Sequence, residues 1–145
     1  MKPKTISAQR IYTKLKQQGV CITCAEAPAM NNYVQCEPCR IWQKTRQKAG
    51  RDNLKREVYQ HYGNNKCACC GETEWTFLTI DHINNDGATH RKELKYHSKC
   101  GHGFYVWLKQ QNWPGGFQVL CQNCNVGKWR NGGICPHKQQ KVMVA

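Results

Sequence analysis

Apolar residues are scarce in this chain: only 39% of its 145 residues are hydrophobic even with cysteine counted, and mean hydropathy is −0.78. A large core held by burial alone is therefore excluded, and chains so poor in core usually add disulfides or metals as staples. No apolar run approaches the roughly 18 residues of a membrane span. The N-terminus, Met1-Lys2-Pro3-Lys4-Thr5, begins basic but leads into no apolar stretch, so a secretory signal is not expected. Acidic residues are also few, 9 against 22 lysines and arginines, for a formal charge of +13. The partner that this imbalance fits is a polyanion, with nucleic acid ahead of a merely soluble basic or ribosome-associated role.

Cysteine, by contrast, is abundant. Eight of the 11 fall into four C-x-x-C pairs: Cys21/Cys24, Cys36/Cys39, Cys67/Cys70 and Cys121/Cys124. Disulfide frameworks do not need that spacing, whereas two thiolates of one turn gripping a tetrahedral Zn²⁺ do. The pairs group into two four-thiolate sites, Cys21, Cys24, Cys36 and Cys39 in one, Cys67, Cys70, Cys121 and Cys124 in the other. Both are closed, so the expected role of two Zn²⁺ ions is structural. A thioredoxin-like use of C-x-x-C is disfavoured because no βαβ pattern accompanies the pairs. Each four-thiolate zinc carries about −2, which lowers the net charge to roughly +9 and leaves the chain basic. Thiolate–zinc chemistry fits a reducing, intracellular setting, the host cytoplasm if a phage encodes the chain. Cys69, Cys100 and Cys135 are left over. Cys100-Gly-His102 and Cys135-Pro-His137 form C-x-H pairs, but that spacing is unusual for zinc and spare cysteines are often simply buried, so no third site is built on them.

Along the chain, Ser7 can cap a helix over 7–18, which Gly19 ends. A basic helix starts at the second cysteine pair and puts Arg40, Lys44 and Lys48 on one face. Ala49-Gly50-Arg51-Asp52 predicts a stop and a new cap, followed by a helix over 53–62 with Leu54, Val58 and Tyr62 on its packing side. Gly63-Asn64-Asn65 marks a domain boundary. Beyond it, 76–81 predicts a strand ending on Asp81-His82, and 84–89 a polar loop leading to His90-Arg91-Lys92. A short helix over 104–111, a strand over 117–120 and a helix over 125–130 follow. The domains are then 1–62, a basic zinc module with a linker helix; 63–137, the second zinc domain; and 138–145, a mobile tail.

The chemistry gathers between and just after the knuckles of the second site. Phosphodiester hydrolysis needs a base to activate water, a cation to offset charge on phosphate and leaving oxygen, and a grip on the backbone. His82 suits the base, since imidazole is largely neutral at pH 7. Asp81 and Asn125 offer hard oxygen ligands for one Mg²⁺-like ion. Arg91, Lys128 and Arg130 can hold phosphates. His90 either contacts phosphate and assists the leaving group or packs beside the loop. Taken alone, Asp81-His82 is more readily a structural Asp turn; bracketed by zinc knuckles and Asn125 it reads as a site.

Cys67-x-x-Cys70, Thr79-Ile80-Asp81-His82-Ile83-Asn84-Asn85-Asp86-Gly87, His90-Arg91 and Leu120-Cys121-Gln122-Asn123-Cys124-Asn125 together resemble the HNH, or ββα-metal, endonucleases. The resemblance covers about 63–137 and is nearest the zinc-stapled phage-type branch that includes junction-resolving endonucleases. It implies that Asp81 binds a catalytic Mg²⁺ or Mn²⁺, His82 is the general base, and Asn125 is the second metal ligand. Two departures stand out. Many members have His where this chain has Asn125, and the middle Asn of the family name aligns near Gly116. In the family that Asn orients the loop bearing the base, and Asn84 or Asn85 is the candidate to replace it.

The expected fold is thus small, metal-stapled α+β: an N-terminal treble-clef or ribbon-like zinc finger with basic helices, then a ββα-metal nuclease domain with a structural four-cysteine zinc. Residues 1–62 hold 12 basic and 4 acidic residues, net +8, and the remainder is net +5 (10 − 5). Arg40, Lys44, Lys48 and, further along, Arg51 and Lys55 are candidates to track a phosphate backbone, with Trp42 packing or stacking on a base; the plainer alternative is a solvated basic face. The function expected is metal-dependent cleavage of DNA, with RNA second. The competing class is a non-catalytic zinc-dependent nucleic-acid-binding regulator or packaging adaptor. No membrane partner is expected, and a homodimer or a larger phage assembly is left open.

Overall fold

In the computed structural model, which describes residues 7–94 and 101–142, the chain divides into two units, Met1–Gly50 and Arg51–Ala145. The first unit opens with α1 (Ala8–Gln17). Ser7 occupies its N-cap, though through backbone rather than side-chain bonding, and no residue of α1 is buried. Gly19 turns out of the helix at φ 66°, and a Val20–Pro28 bridge closes the loop that carries Cys21 and Cys24.

Helix α2 (Glu37–Gly63) starts at the second cysteine pair and runs unbroken for 27 residues. The stop expected at Ala49-Gly50-Arg51-Asp52 does not occur. A glycine in a helix interior costs only about 1 kcal/mol, and the proline that would have barred the next turn is missing. The half of α2 from residue 51 onward belongs to the second unit, so the division falls earlier than Gly63. Packing explains this: Val58 and Tyr59 are fully buried in that unit's core, with Leu54 and Tyr62 against it.

The second unit continues with β1 (Leu78–His82), α3 (Gly87–Glu93), α4 (Gly101–Gln110), β2 (Phe117–Cys121), α5 (Gln122–Arg130) and α6 (Pro136–Val142). The two strands pair antiparallel, with Leu78 opposite Cys121, Ile80 opposite Val119, Asp81 opposite Gln118 and His82 opposite Phe117. The core lies where α2 and α4 meet this ribbon, around Tyr59, Leu78, Phe104, Leu108, Val119 and Leu120. Such a ribbon is marginal alone and needs those helices. The Tyr59 hydroxyl donates to the Leu78 carbonyl, which fixes α2 to the head of β1. Two further segments differ from expectation. Residues 87–89, the end of the polar loop expected over 84–89, instead begin α3 and continue as helix through His90-Arg91-Lys92; α3 buries nothing and so leaves no apolar period to read. The tail expected from Lys138 is helical as far as Val142. Among the described residues no helix is long and apolar enough to cross a membrane.

The α2–β2 contact is tight at Gly63. A Cβ there would lie 2.7 Å from Val119 Cβ and 2.9 Å from its Cγ2, and Val119 is fully buried. Gly63→Ala is expected to destabilise the protein by about 1–3 kcal/mol, read as a lower urea midpoint. Gly50→Ala, which meets open space, is expected to leave the midpoint unchanged or raise it.

Candidate active site and metal centres

Two turns of the same build present the cysteines. Ala25 N–H donates to the Cys21 carbonyl at 2.9 Å and Gly71 N–H to the Cys67 carbonyl at 3.0 Å, with the donors at φ 58° and 86°. Each turn thereby aims both sulfurs of its pair to one side. The ligand atoms of Cys21, Cys24, Cys36 and Cys39 all lie within 4.8 Å of one another, as do those of Cys67, Cys70, Cys121 and Cys124. Cys24 and Cys36 sulfurs are 3.9 Å apart, and Cys70 and Cys121 sulfurs 3.6 Å. A tetrahedron with Zn–S of about 2.3 Å has an edge of about 3.8 Å, so both groups could hold zinc. Burial works against ionising Cys21, but backbone N–H groups of Cys24, Cys36 and Thr23 outweigh it and bring the thiol down to about 6. Cys67 is lowered to about 7 by the same balance, with the N–H groups of Cys70, Cys121 and Cys69 opposing burial. Other sulfurs of the same groups shift the opposite way: the hydrogen bond with Cys36 pushes Cys39 up to about 12, and burial first raises Cys124; a bound cation would take all of them as thiolates.

The second cluster ends β2 and begins α5. Cys121 caps α5 with its own sulfur, which accepts from Cys124 N–H at 3.4 Å. Asn125 follows in the first turn and faces the end of β1. Asp81, His82, Asn85, Arg91, Asn125, Lys128 and Trp129 all line one cleft of about 540 Å³. The chain therefore brings together the three residues expected to do chemistry, Asp81, His82 and Asn125, with Arg91 beside them. Arg130 is exposed on the same helix but does not line this cleft.

His82 is held on several sides. Its ring stacks on Phe104 at 5.8 Å and meets Phe117 edge-on at 4.9 Å. Its Nε2 lies 2.8 Å from Nδ1 of His90, so His90 partners the imidazole. With Nε2–H donating to His90, the lone pair of His82 rests on Nδ1, the nitrogen beside Gly87. A Cβ at Gly87 would come within 2.9 Å of that nitrogen, so glycine keeps it accessible. Burial, then the neighbouring charge of His90, holds the His82 pKa below its ordinary 6.5.

Lys128 was expected to meet phosphate, and the structure gives it a different position. Its side chain is only 8% exposed, and Nζ donates to Asp81 Oδ2 at 2.6 Å, to the His82 carbonyl at 2.6 Å and to the Ile83 carbonyl at 3.2 Å. A long cation on a helix reads as a solvated or phosphate-facing group; here the lean of α5 over β1 draws it inward. Gln118, directly across the ribbon from Asp81, donates to the same Oδ2 at 2.8 Å. Neither role was legible beforehand, although the cross-strand position of Gln118 follows once the register is known. The loop after His82 is braced by Lys128 and by Ile83 N–H donating to the Gly116 carbonyl at 2.9 Å. Gly116, near which the resemblance would place the middle Asn, thus contributes through its backbone. The Asn85 side chain packs on Gly133. Trp129, 78% exposed at the cleft, carried no sequence signal of its own.

In the first unit Lys44 and Lys48 are exposed on α2. Arg40 lies with its guanidinium 3.6 Å above the Tyr33 ring, and Trp42 is 55% exposed near Arg46. Of the C-x-H pairs, Cys100 lies outside the described residues. No family model, curated protein or solved structure matches this chain.

Two expectations follow. Lys128→Met leaves the Asp81 carboxylate buried without its cation and should cost about 3–5 kcal/mol in urea denaturation without added divalent ions; adding Asp81→Asn should return much of it. By NMR, the His82 imidazole should titrate below 6.5. Since the unfolded chain then takes up a proton that the native ring refuses, native stability should fall as pH drops through 6.5 toward the folded value.

Proposed function

We propose that this protein is a metal-dependent endonuclease of the HNH, or ββα-metal, type that hydrolyses phosphodiester bonds in DNA. The observation that carries the reading is that Asp81, His82, Asn125 and Arg91 line one cleft. The order β1, β2, α5, with a four-cysteine cluster at the β2–α5 junction, is the arrangement that the family resemblance implies. On this reading two structural zinc ions hold the two cysteine groups, and the first unit is a treble-clef-like module whose Arg40, Lys44 and Lys48 follow a phosphate backbone.

His82 Nδ1 takes the proton from the attacking water. His90, on the other nitrogen, keeps the ring oriented and accepts its Nε2–H as positive charge develops. The aromatic walls of Phe104 and Phe117 hold the ring in place, and their burial keeps it neutral and ready to accept. Arg91 offers a fork of donors to a phosphate, and Trp129 a face for an unstacked base. The donor set suits a hard divalent ion: Asn125 and the Asp81 oxygen that Lys128 leaves unbound would hold it. When bound, such an ion supplies positive charge for the phosphate and leaving oxygen.

A second reading, a nucleic-acid-binding regulator without catalysis, is favoured by one observation: the Lys128 ammonium already neutralises Asp81. Supercoiled plasmid decides between them. Nicking is expected with Mg²⁺ or Mn²⁺ and not without, and His82→Ala should slow it about 10²–10⁴-fold at unchanged zinc content. No metal-dependent nicking, or a His82→Ala protein as active as the parent, ends the nuclease reading. Salt-dependent DNA retention alone would then support the regulator.

A further inference from the structure

Cys69, Cys135 and His137 have no part in the reading above, yet the fold gathers them around a sulfur that reading already uses. The ligand atoms of Cys69, Cys124, Cys135 and His137 all lie within 4.8 Å of one another. Cys124 therefore belongs to two groups at once, with Cys67, Cys70 and Cys121 in one and with Cys69, Cys135 and His137 in the other, and it is fully buried. We infer that the second unit holds a binuclear zinc cluster: one ion on Cys67, Cys70 and Cys121, the other on Cys69, Cys135 and His137, with Cys124 bridging both. The inference rests on the zinc reading of the four-cysteine group and adds an ion to it.

The ligand count closes. Two tetrahedral ions need eight coordination positions, and seven side chains of which one bridges supply eight. The distances agree. His137 Nδ1 lies 3.4 Å from Cys124 Sγ and 3.8 Å from Cys135 Sγ, against an N···S edge of about 3.6 Å for a zinc tetrahedron. His137 is an exposed residue, yet its ring nitrogen turns inward onto two sulfurs. Charge agrees as well. The second ion brings +2 and the thiolates of Cys69 and Cys135 bring −2, so the cluster stays at about −2 spread over two ions. The narrow C-x-H spacing, unpromising on an extended segment, works because Pro136 starts α6 directly after Cys135. His137 then comes round in the first turn. The consequence is mechanical: α6 is tied through the ion to Cys124, the residue before Asn125. At Gly127 the two helices already touch, where a Cβ would lie 3.2 Å from Pro136.

Native mass spectrometry of the zinc-loaded full chain is expected to show three zinc ions. His137→Ala and Cys135→Ser should each surrender one to a chelator concentration at which the parent keeps all three. In ¹¹³Cd-substituted protein, two of three resonances should show mutual scalar coupling through the shared sulfur. Two zinc ions in the parent, or three with no coupled pair, overturn the bridged cluster and leave the single-ion sites standing; a mass lower by one disulfide at Cys69–Cys135 does the same. Fewer than two zinc ions overturns the underlying zinc reading itself.

Discussion

Lys128 reaches from α5 into the end of β1 and gives its three N–H bonds to Asp81, His82 and Ile83. Those bonds fix the lean of the helix on the ribbon, the direction of the carboxylate and the path of the loop that follows His82. An ammonium so enclosed has lost most of its hydration, and only a full set of acceptors makes that tolerable. The rest of the cleft depends on it. Asn125 sits one turn before Lys128 on the same helix, so the position of one constrains the other. Gln118 steadies the same carboxylate oxygen from across the ribbon.

That ion pair needs a helix held firmly at its start, and the cysteine cluster is placed to do so. Cys121 ends the strand and caps the helix; Cys124 lies fully buried three residues on. With a ribbon of only two strands and a core of a few large side chains, hydrophobic burial alone leaves the β2–α5 corner poorly restrained. Metal–thiolate bonds in that cysteine group would act where the apolar count is lowest, and would let a chain of such low hydropathy orient side chains to within hydrogen-bonding tolerance.

Much of this was legible because it is local. A C-x-x-C turn announces itself in four residues, and Asn125 could be assigned beside Asp81-His82 because a cysteine fixes its position one residue away. The His82–His90 pair was half legible: both histidines stood out, but their contact depends on α3, whose polar sequence carries no period. Lys128 and Gln118 were illegible for a different reason. Their roles arise from helix lean and strand register, and neither is written in the residues themselves. The continuity of α2 shows the opposite failure, a convincing local cap signal at Gly50-Arg51-Asp52 overridden by the packing of Val58 and Tyr59 further along.

The same ammonium sets the electrostatic character of the proposed catalytic site. A carboxylate alone would draw a divalent ion with a full negative charge; one already paired at 2.6 Å draws it with much less. An ion bound beside Lys128 would therefore be weakly held by the protein and would gain its remaining charge partner from a phosphate. Arg91 and the basic surface would assist that phosphate's approach. Metal and nucleic acid would then bind cooperatively, each supplying the counter-charge that the other needs. The buried pair that seems to favour a silent binding protein thus also suits a nuclease whose metal site is completed by its substrate.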